Sequence, residues 1–147
     1  MAEKEIPFYN IRQSVGPGRA NSRTDVMLVQ FFLQQIFDHP NAVKDKPVGA
    51  KMEINGTYDE IVGAWIKQYQ VSSRLPLVAD GRVDRAPQQG AKTPRAHRFY
   101  TITMMNYEYR AYYPAAHDHL EKHPSIPSLL QAELVRDDVP PGWTGRK

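Results

Sequence analysis

Cysteine is absent from this chain of 147 residues. Without a thiol the protein has no disulfide framework, no thiolate metal site and no cysteine nucleophile. Long apolar runs are missing as well: no segment reaches the roughly 18 apolar residues of a membrane span, and the first residues lack the apolar core of a secretory signal. We therefore expect no membrane span and a protein that is cytoplasmic as synthesised, with any transfer to the cell envelope following a non-classical route.

Charge of one sign is not in strong excess either. The 19 Lys and Arg residues oppose 16 Asp and Glu residues, which gives a net charge of +3. Proteins that bind nucleic acid concentrate basic residues on one face to neutralise phosphates, whereas the only local cluster here is Lys92, Arg95 and Arg98. We expect no nucleic-acid partner. The apolar fraction of 41% and the charged fraction of 24% are typical of a folded globular protein.

The first predicted helix is apolar on most of its sides. Asn21, Ser22 and Thr24 offer side-chain oxygens that suit a helix N-terminus, and the stretch DVMLVQFFLQQIF follows at 25–37. Pro40 ends the pattern because proline has no backbone N–H to donate within a helix. A helix that faced a single core would keep polar residues on its other side. We therefore expect this helix to be covered from two directions.

A second predicted helix, at about 59–70, follows the turn Asn55-Gly56. Glycine permits positive φ in such a turn, and Asp80-Gly81 repeats the arrangement about 25 positions later. Residues spaced three and four apart predict the inward face of this helix: Ile61, Ala64, Trp65, Gln68 and Tyr69. The pattern also allows a short two-stranded contact between 52–54 and 82–83.

The C-terminal third is predicted to be helical. The stretch RFYTITMMNYEYRAYY, residues 98–113, contains β-favouring residues, yet its helical spacing persists for about 15 residues, longer than a typical strand. Ser125 and Pro127 suit the start of a short helix at 128–135. The tail from residue 137 is expected to be extended.

The N-terminal part carries a set of residues with a characteristic order. An aspartate and a valine open the first helix, a glutamine and a leucine lie within it, two turns pair an acidic or amide residue with glycine, and an aromatic residue with glutamine closes the second helix. The set is Asp25, Val26, Val29, Gln30, Leu33, Asn55, Gly56, Tyr58, Ala64, Trp65, Ile66, Tyr69, Gln70, Asp80, Gly81 and Val83. Over about 15–85 it resembles the peptidoglycan-binding-like domain, a three-helix module common in bacterial and phage cell-wall hydrolases. The sequence departs from that family at 84–90, which is a poor helix, and in its long loop at 38–53.

The resemblance implies a mainly α fold, a small three-helix bundle with a helical C-terminal extension packed on it. The corresponding boundaries are an N-terminal arm at 1–10, the module at 11–92, and the helical extension with its extended tail at 93–147. Apart from the resemblance, the chemistry of the set is structural, since Gln30 and Gln70 can satisfy loop backbone groups beside a small core.

The resemblance also implies binding without catalysis, with peptidoglycan or a muropeptide as the ligand in a shallow groove. Tyr58, Arg74, Asp80 and Arg82 lie near the turns that would border such a groove. Without a signal peptide, a wall-directed protein of this kind would be delivered by a phage, a contractile secretion machine or cell lysis. The alternative is a scaffold or adaptor that uses the same fold for protein contacts and docks a protein partner through its C-terminal extension and tail.

Catalytic and metal-binding constellations are weak. His119 and His123 are four residues apart and would share one helical face, but no third ligand with a defined spacing accompanies them. Asp59 and Glu60 stand at a predicted helix N-terminus, where their charge is stabilised, and not in an apolar cleft that would suit acid catalysis. The extension is also too short for a usual hydrolase domain. We predict no enzyme activity, no cofactor and no metal site, with the two histidines as a weak metal candidate.

Overall fold

The computed structural model describes residues 6–42, 47, 51–73, 77–87 and 98–139. These residues form, in chain order, β1 (Ile6–Asn10), α1 (Arg23–Asp38), α2 (Glu60–Ser72), α3 (Thr101–Tyr112), α4 (Pro114–Asp118), a short 3₁₀-helix (Leu120–Lys122), α5 (Ser128–Glu133) and β2 (Val135–Val139). The fold is mainly α, a small helical bundle, as the sequence predicts. None of the described helices is long and apolar enough to cross a membrane.

Helix α1 lies at the centre of the bundle. Residues 25–33 are buried without interruption. Phe31 packs against Tyr109 of α3 with ring centroids 5.4 Å apart, and Phe37 packs against Trp65 of α2 at 5.1 Å. Aromatic pairs of this kind contribute about 0.5–1.5 kcal/mol each beyond the area they bury. The predicted cover from two directions is confirmed, because α2 supplies one side and the C-terminal extension the other.

Helix α2 packs on α1 with a face that is rotated from the predicted one. Its buried residues are Val62, Trp65, Ile66, Tyr69 and Gln70. The two predicted aromatic residues are among them, but Ile61 is 44% exposed and Ala64 is exposed as well, so the prediction is wrong for both. The rotation turns Gln70 inward, where its amide binds the backbone of residues 80–82.

Residues 6–10, predicted as part of an arm, form a buried strand. β1 pairs antiparallel with β2 over its whole length, and Phe8 and Tyr9 are almost fully buried. On the other edge of β1, the Tyr9 N–H donates to Asn106 Oδ1 at 2.9 Å and Asn106 Nδ2 donates to the Tyr9 C=O at 2.8 Å. The arm prediction is wrong because the partners of this strand lie far away along the chain and leave no local pattern.

The predicted contact between 52–54 and the segment around Val83 does not form. Val83 instead bridges Val15, and each backbone N–H donates to the other C=O, at 2.8 and 2.9 Å. The C=O of Met52 accepts a hydrogen bond from Gln34 Nε2 at 3.0 Å. Residue 52 therefore lies along α1, and the loop before α1 takes its place beside Val83.

The C-terminal extension continues the same hydrophobic core. Helices α3 and α5 confirm the two helices predicted there. Leu120 and Leu130 belong to the core cluster that contains the α1 side chains, and the Tyr113 hydroxyl donates to the C=O of Gln35 at the end of α1 (3.2 Å). Residues 137–139 are extended, as predicted, but within the paired strand β2, and Val135 belongs to that strand and not to the end of the predicted helix. The rest of the predicted tail, 140–147, lies outside the described residues.

Candidate functional site

Each of the two glycine turns is held by a glutamine from the helix that precedes it. In the first glycine turn, residues 55–57, Gln30 Oε1 accepts hydrogen bonds from the N–H groups of Asn55 (3.0 Å) and Gly56 (2.8 Å). Gln30 Nε2 donates to Asn55 Oδ1 (2.9 Å) and to the C=O of Thr57 (3.3 Å). One buried side chain therefore satisfies most of the polar groups of this turn, which confirms the role predicted for Gln30.

The second glycine turn, residues 80–82, is also held by a glutamine side chain. Gln70 Oε1 accepts a hydrogen bond from the Gly81 N–H at 2.8 Å. Gln70 Nε2 donates to the C=O of Arg82 (2.9 Å) and to Thr101 Oγ1 (3.0 Å). Because Thr101 is the first residue of α3, this glutamine ties the turn to the start of the C-terminal extension.

The aspartate that opens the predicted motif has a related role. The Asp25 carboxylate is buried in the first turn of α1, and its two oxygens accept the backbone N–H groups of Arg12 (2.9 Å) and Gln13 (3.0 Å). Val26 and Leu33 are core residues. Asp25 therefore anchors the segment between β1 and α1.

The two turns lie near opposite ends of α2. Both need glycine, since Gly56 has φ of 78° and Gly81 has φ of 74°. Tyr58 precedes the first residue of α2, whereas Asp80 and Arg82 belong to the turn bound by Gln70 near its end. Positions 60 and 70 of α2 are ten steps apart along the helix, which corresponds to about 15 Å.

Tyr58 lies beside the first glycine turn with its ring partly exposed. Its hydroxyl rests over Gly63, where a methyl group would come within 2.7 Å of Tyr58 Oη. Burial, and then the negative charge of Asp59, raise the pKa of Tyr58. The phenol is therefore neutral at neutral pH and can donate a hydrogen bond. Asp59 itself caps α2, since its Oδ1 accepts the Val62 N–H at 3.0 Å.

Asp80 and Arg82 form a charged group on the second glycine turn. Arg82 Nε is 3.0 Å from Asp84 Oδ2, and Arg82 Nη2 is 3.8 Å from Asp80 Oδ2. Each of these three side chains is about one third exposed. The guanidinium is therefore flanked by two carboxylates, so that the group presents both signs of charge to solvent. A ligand that bears both amino and carboxylate groups would suit it better than a simple anion.

The predicted ligand residues thus fall into two separate groups. Arg74 lies outside the described residues. Among the residues that the structure does describe, no hydrogen bond or ion pair joins Tyr58 to Asp80 or Arg82. A ligand that contacts both groups would have to extend along α2, whereas a compact ligand would use one of the two turns.

The two histidines of the weak metal candidate do not share a helical face. His119 follows the last residue of α4 and lies 3.6 Å from Glu121 Oε2, while His123 follows the 3₁₀-helix. His123 Nδ1 accepts the Ser125 N–H at 3.0 Å, and its ring packs against Phe31. That part of the prediction is wrong because the helix breaks at residue 119. Within the described ranges no group of three or more His, Asp or Glu side chains is arranged to hold a metal ion.

Sequence reasoning did not single out a buried polar cluster around His117. His117 is 1% exposed, and its ring contacts Asn106 and Arg110 of α3. Arg110 also pairs with Asp118 at 2.8 Å. The signal that could have indicated it is Asn106, an amide that follows two methionines in the middle of α3, because a buried amide requires partners.

No protein-family model, curated protein or solved structure matches this chain.

Proposed function

We propose that this protein is a non-catalytic cell-wall binding module whose ligand is peptidoglycan or a muropeptide. The observation that carries the proposal is the paired arrangement of the glycine turns, each clamped by a glutamine from the preceding helix. These are the residues on which the resemblance to peptidoglycan-binding-like domains rests. The bonds explain why the glutamines and glycines occur together, since each glutamine replaces the backbone partners that the turn lacks.

The exposed groups beside the turns have chemistry that suits such a ligand. Peptide stems of the wall carry amides, carboxylates and amino groups, which the Asp80, Arg82 and Asp84 group can pair with. Sugar rings carry hydroxyl groups and apolar faces, which the Tyr58 hydroxyl and ring can contact. All of these residues lie on the module, and each of them is partly or fully exposed.

A sedimentation assay with insoluble peptidoglycan tests the proposal. The full chain is mixed with purified sacculi, and the protein in the pellet is quantified over a range of sacculus concentrations. Because the two residue groups lie at opposite ends of α2, Tyr58→Ala and Arg82→Ala are made as separate variants. Lys67→Ala, an exposed residue of α2 outside both turns, is the matched control.

Wild type and Lys67→Ala are expected in the pellet, and loss of a contacting side chain should weaken retention about tenfold, as for a residue that contributes about 1.4 kcal/mol to binding. Comparing the two test variants identifies the turn that binds. Absence of the wild-type protein from the pellet would end the proposal. Circular dichroism of each variant separates loss of binding from loss of folding.

A scaffold or adaptor role is the second candidate, and the exposed side of α2 favours it. Ile61 is 44% exposed and Val71 is 61% exposed, and Ala64 and Gln68 lie on the same side between them. An uncharged stripe with this spacing is typical of a surface that contacts another helix. In this role the module would bind protein and leave the wall unbound.

Two changes separate the candidates. Ile61→Glu with Val71→Glu should abolish recovery of a protein partner and leave sedimentation with sacculi unchanged. A truncation that tests the tail should begin after Val139, because residues 135–139 pair with β1 and their removal would damage the fold. Unchanged partner recovery in both variants would remove the adaptor role.

A further inference from the structure

The His117 imidazole is held in one protonation state by its neighbours. Its Nε2 lies 3.0 Å from Asn106 Oδ1, and its Nδ1 lies 3.2 Å from Arg110 Nη1. The orientation of the Asn106 amide follows from its other bonds, since Oδ1 accepts the Tyr9 N–H and Nδ2 donates to two carbonyl groups. A guanidinium can only donate, so Nδ1 must be an unprotonated acceptor and the proton must lie on Nε2.

These contacts join separate parts of the fold. Asn106 connects α3 to the backbone of β1 at Tyr9. The Tyr9 ring packs edge-on against His117 of α4, with centroids 5.2 Å apart, and the Tyr9 hydroxyl accepts the N–H of Leu120 at 3.1 Å. A single neutral imidazole therefore lies where β1, α3, α4 and the 3₁₀-helix meet.

The charged groups around the ring oppose a second proton. Arg110 faces it from α3, Asp118 follows it on α4, and Arg136 approaches from β2, where it donates to the C=O of Asp118 at 3.0 Å. Tyr9 and Tyr109 are the other titratable side chains in contact with it. Burial, and then Arg110, lower the pKa of His117 to about 3; Arg136 acts in the same direction and Asp118 opposes them.

We propose that Tyr9, Asn106, Arg110 and His117 form an acid-sensitive latch, the His117 latch, which opens when the imidazole takes up a proton. An Nδ1–H would point at the Arg110 donor, so protonation breaks that contact and leaves a cation in a buried site. Opening separates β1 from both α3 and α4, so that the Tyr9 N–H loses Asn106, the Leu120 N–H loses the Tyr9 hydroxyl, and the imidazole is exposed to water.

The direction of the pH dependence follows from proton counting. When the latch is open, His117 has the ordinary histidine pKa of about 6.5, and when the latch is closed its pKa is lowered. At a pH between these two pKa values, the open state therefore binds more protons than the closed state. The closed state has its full stability at pH values above the ordinary histidine pKa. It loses stability as the pH falls from that pKa toward the lowered pKa of His117. Between about pH 6 and pH 4, the opening equilibrium should therefore increase roughly tenfold per pH unit.

Amide hydrogen exchange of the full chain between pH 5 and 7.5, corrected for the intrinsic pH dependence of exchange, measures this opening. The reporters are the N–H groups of Tyr9 and Leu120, which the latch binds. The N–H of Gly56, bound by Gln30, is the internal control. His117→Gln removes the titrating group, and His119→Gln removes an exposed histidine nearby.

In wild type and His119→Gln, the reporters should lose protection steeply as pH falls while Gly56 does not; in His117→Gln the reporters should show no such slope. A flat response in wild type, or an unchanged slope in His117→Gln, would refute the latch. If His117→Gln does not fold, NMR of the wild-type imidazole decides. Retention of the Nε2–H form in the folded protein down to pH 5 supports the latch, and a titration midpoint above about 6 overturns it.

Discussion

In both glycine turns a glutamine side chain binds the backbone of the turn, but the surroundings of the two glycines differ. Gln30 holds the first turn inside the bundle: a methyl group at Gly56 would lie 2.5 Å from Arg23 Cγ and 2.9 Å from the Arg23 C=O. Gln70 holds the second turn, but a methyl group at Gly81 would meet nothing within 4 Å. Both glycines are buried, but the position of a side chain is filled by Arg23 at Gly56 and empty at Gly81.

The two turns also differ in their hydrogen bonds and in their charges. The first turn has two backbone N–H groups that depend on one glutamine oxygen, whereas the second has one. Only the second turn carries a group of partly exposed charges, Asp80, Arg82 and Asp84. A repeated sequence motif can thus have a structural role in one copy and offer a contact surface in the other.

Replacing the two glutamines should produce the largest effects and the clearest contrast. Gln30→Met keeps the side-chain size but leaves two N–H groups without their acceptor, which should cost about 4 kcal/mol, against about 2 kcal/mol for Gln70→Met. Urea unfolding followed by circular dichroism measures both. Equal losses would show that the second N–H group bound by Gln30 adds nothing to stability.

Replacing the two glycines should give a smaller contrast in the same direction. Alanine at either position has the strain of positive φ, about 1–2 kcal/mol, and only at Gly56 must it also displace Arg23. We expect losses of about 3 kcal/mol for Gly56→Ala and about 1 kcal/mol for Gly81→Ala. Thermal unfolding tests this order. A greater loss for Gly81→Ala would contradict the open surroundings of the second turn.

Removing the charge on the second turn should have the smallest effect on stability. Arg82→Ala breaks two partly exposed ion pairs, which together contribute little, so the free energy of unfolding should change by about 0.5 kcal/mol or less. The same denaturation measurement checks this. A loss as large as that of Gln70→Met would mean that Arg82 supports the fold, and its use as a probe of wall binding would then fail.

Local patterns predicted most of the helices. Helix α1 was predicted from its apolar stretch and from Pro40, and α3 from a helical spacing that outlasts a strand, because helix formation depends on residues a few positions apart. The role of Gln30 and Gln70 was also predictable, since buried amides require partners. The helices and the roles of the two glutamines could be predicted because they depend on residues close in the sequence or on the chemistry of a single residue type.

Features that depend on distant partners could not be predicted in the same way. The sequence predicts an arm where β1 forms, because the partner strand and Asn106 are far away along the chain. The exposed position of Ile61 could not be predicted because the face of α2 that becomes buried depends on the elements that pack on it. The separation of Tyr58 from Asp80 and Arg82 could be recognised only in the structure, because it depends on the direction in which α2 runs.

The sequence by itself determined a mainly α chain without cysteine chemistry, with two glycine turns and a central helix too apolar to have one exposed side. Only the tertiary structure decided that Arg23 fills the side-chain position at Gly56 while that at Gly81 is empty, and that His117 is buried between cationic and amide partners. The reason is physical: backbone preferences and apolar periodicity act over a few residues, whereas burial, charge balance and hydrogen-bond satisfaction depend on which distant segments come into contact.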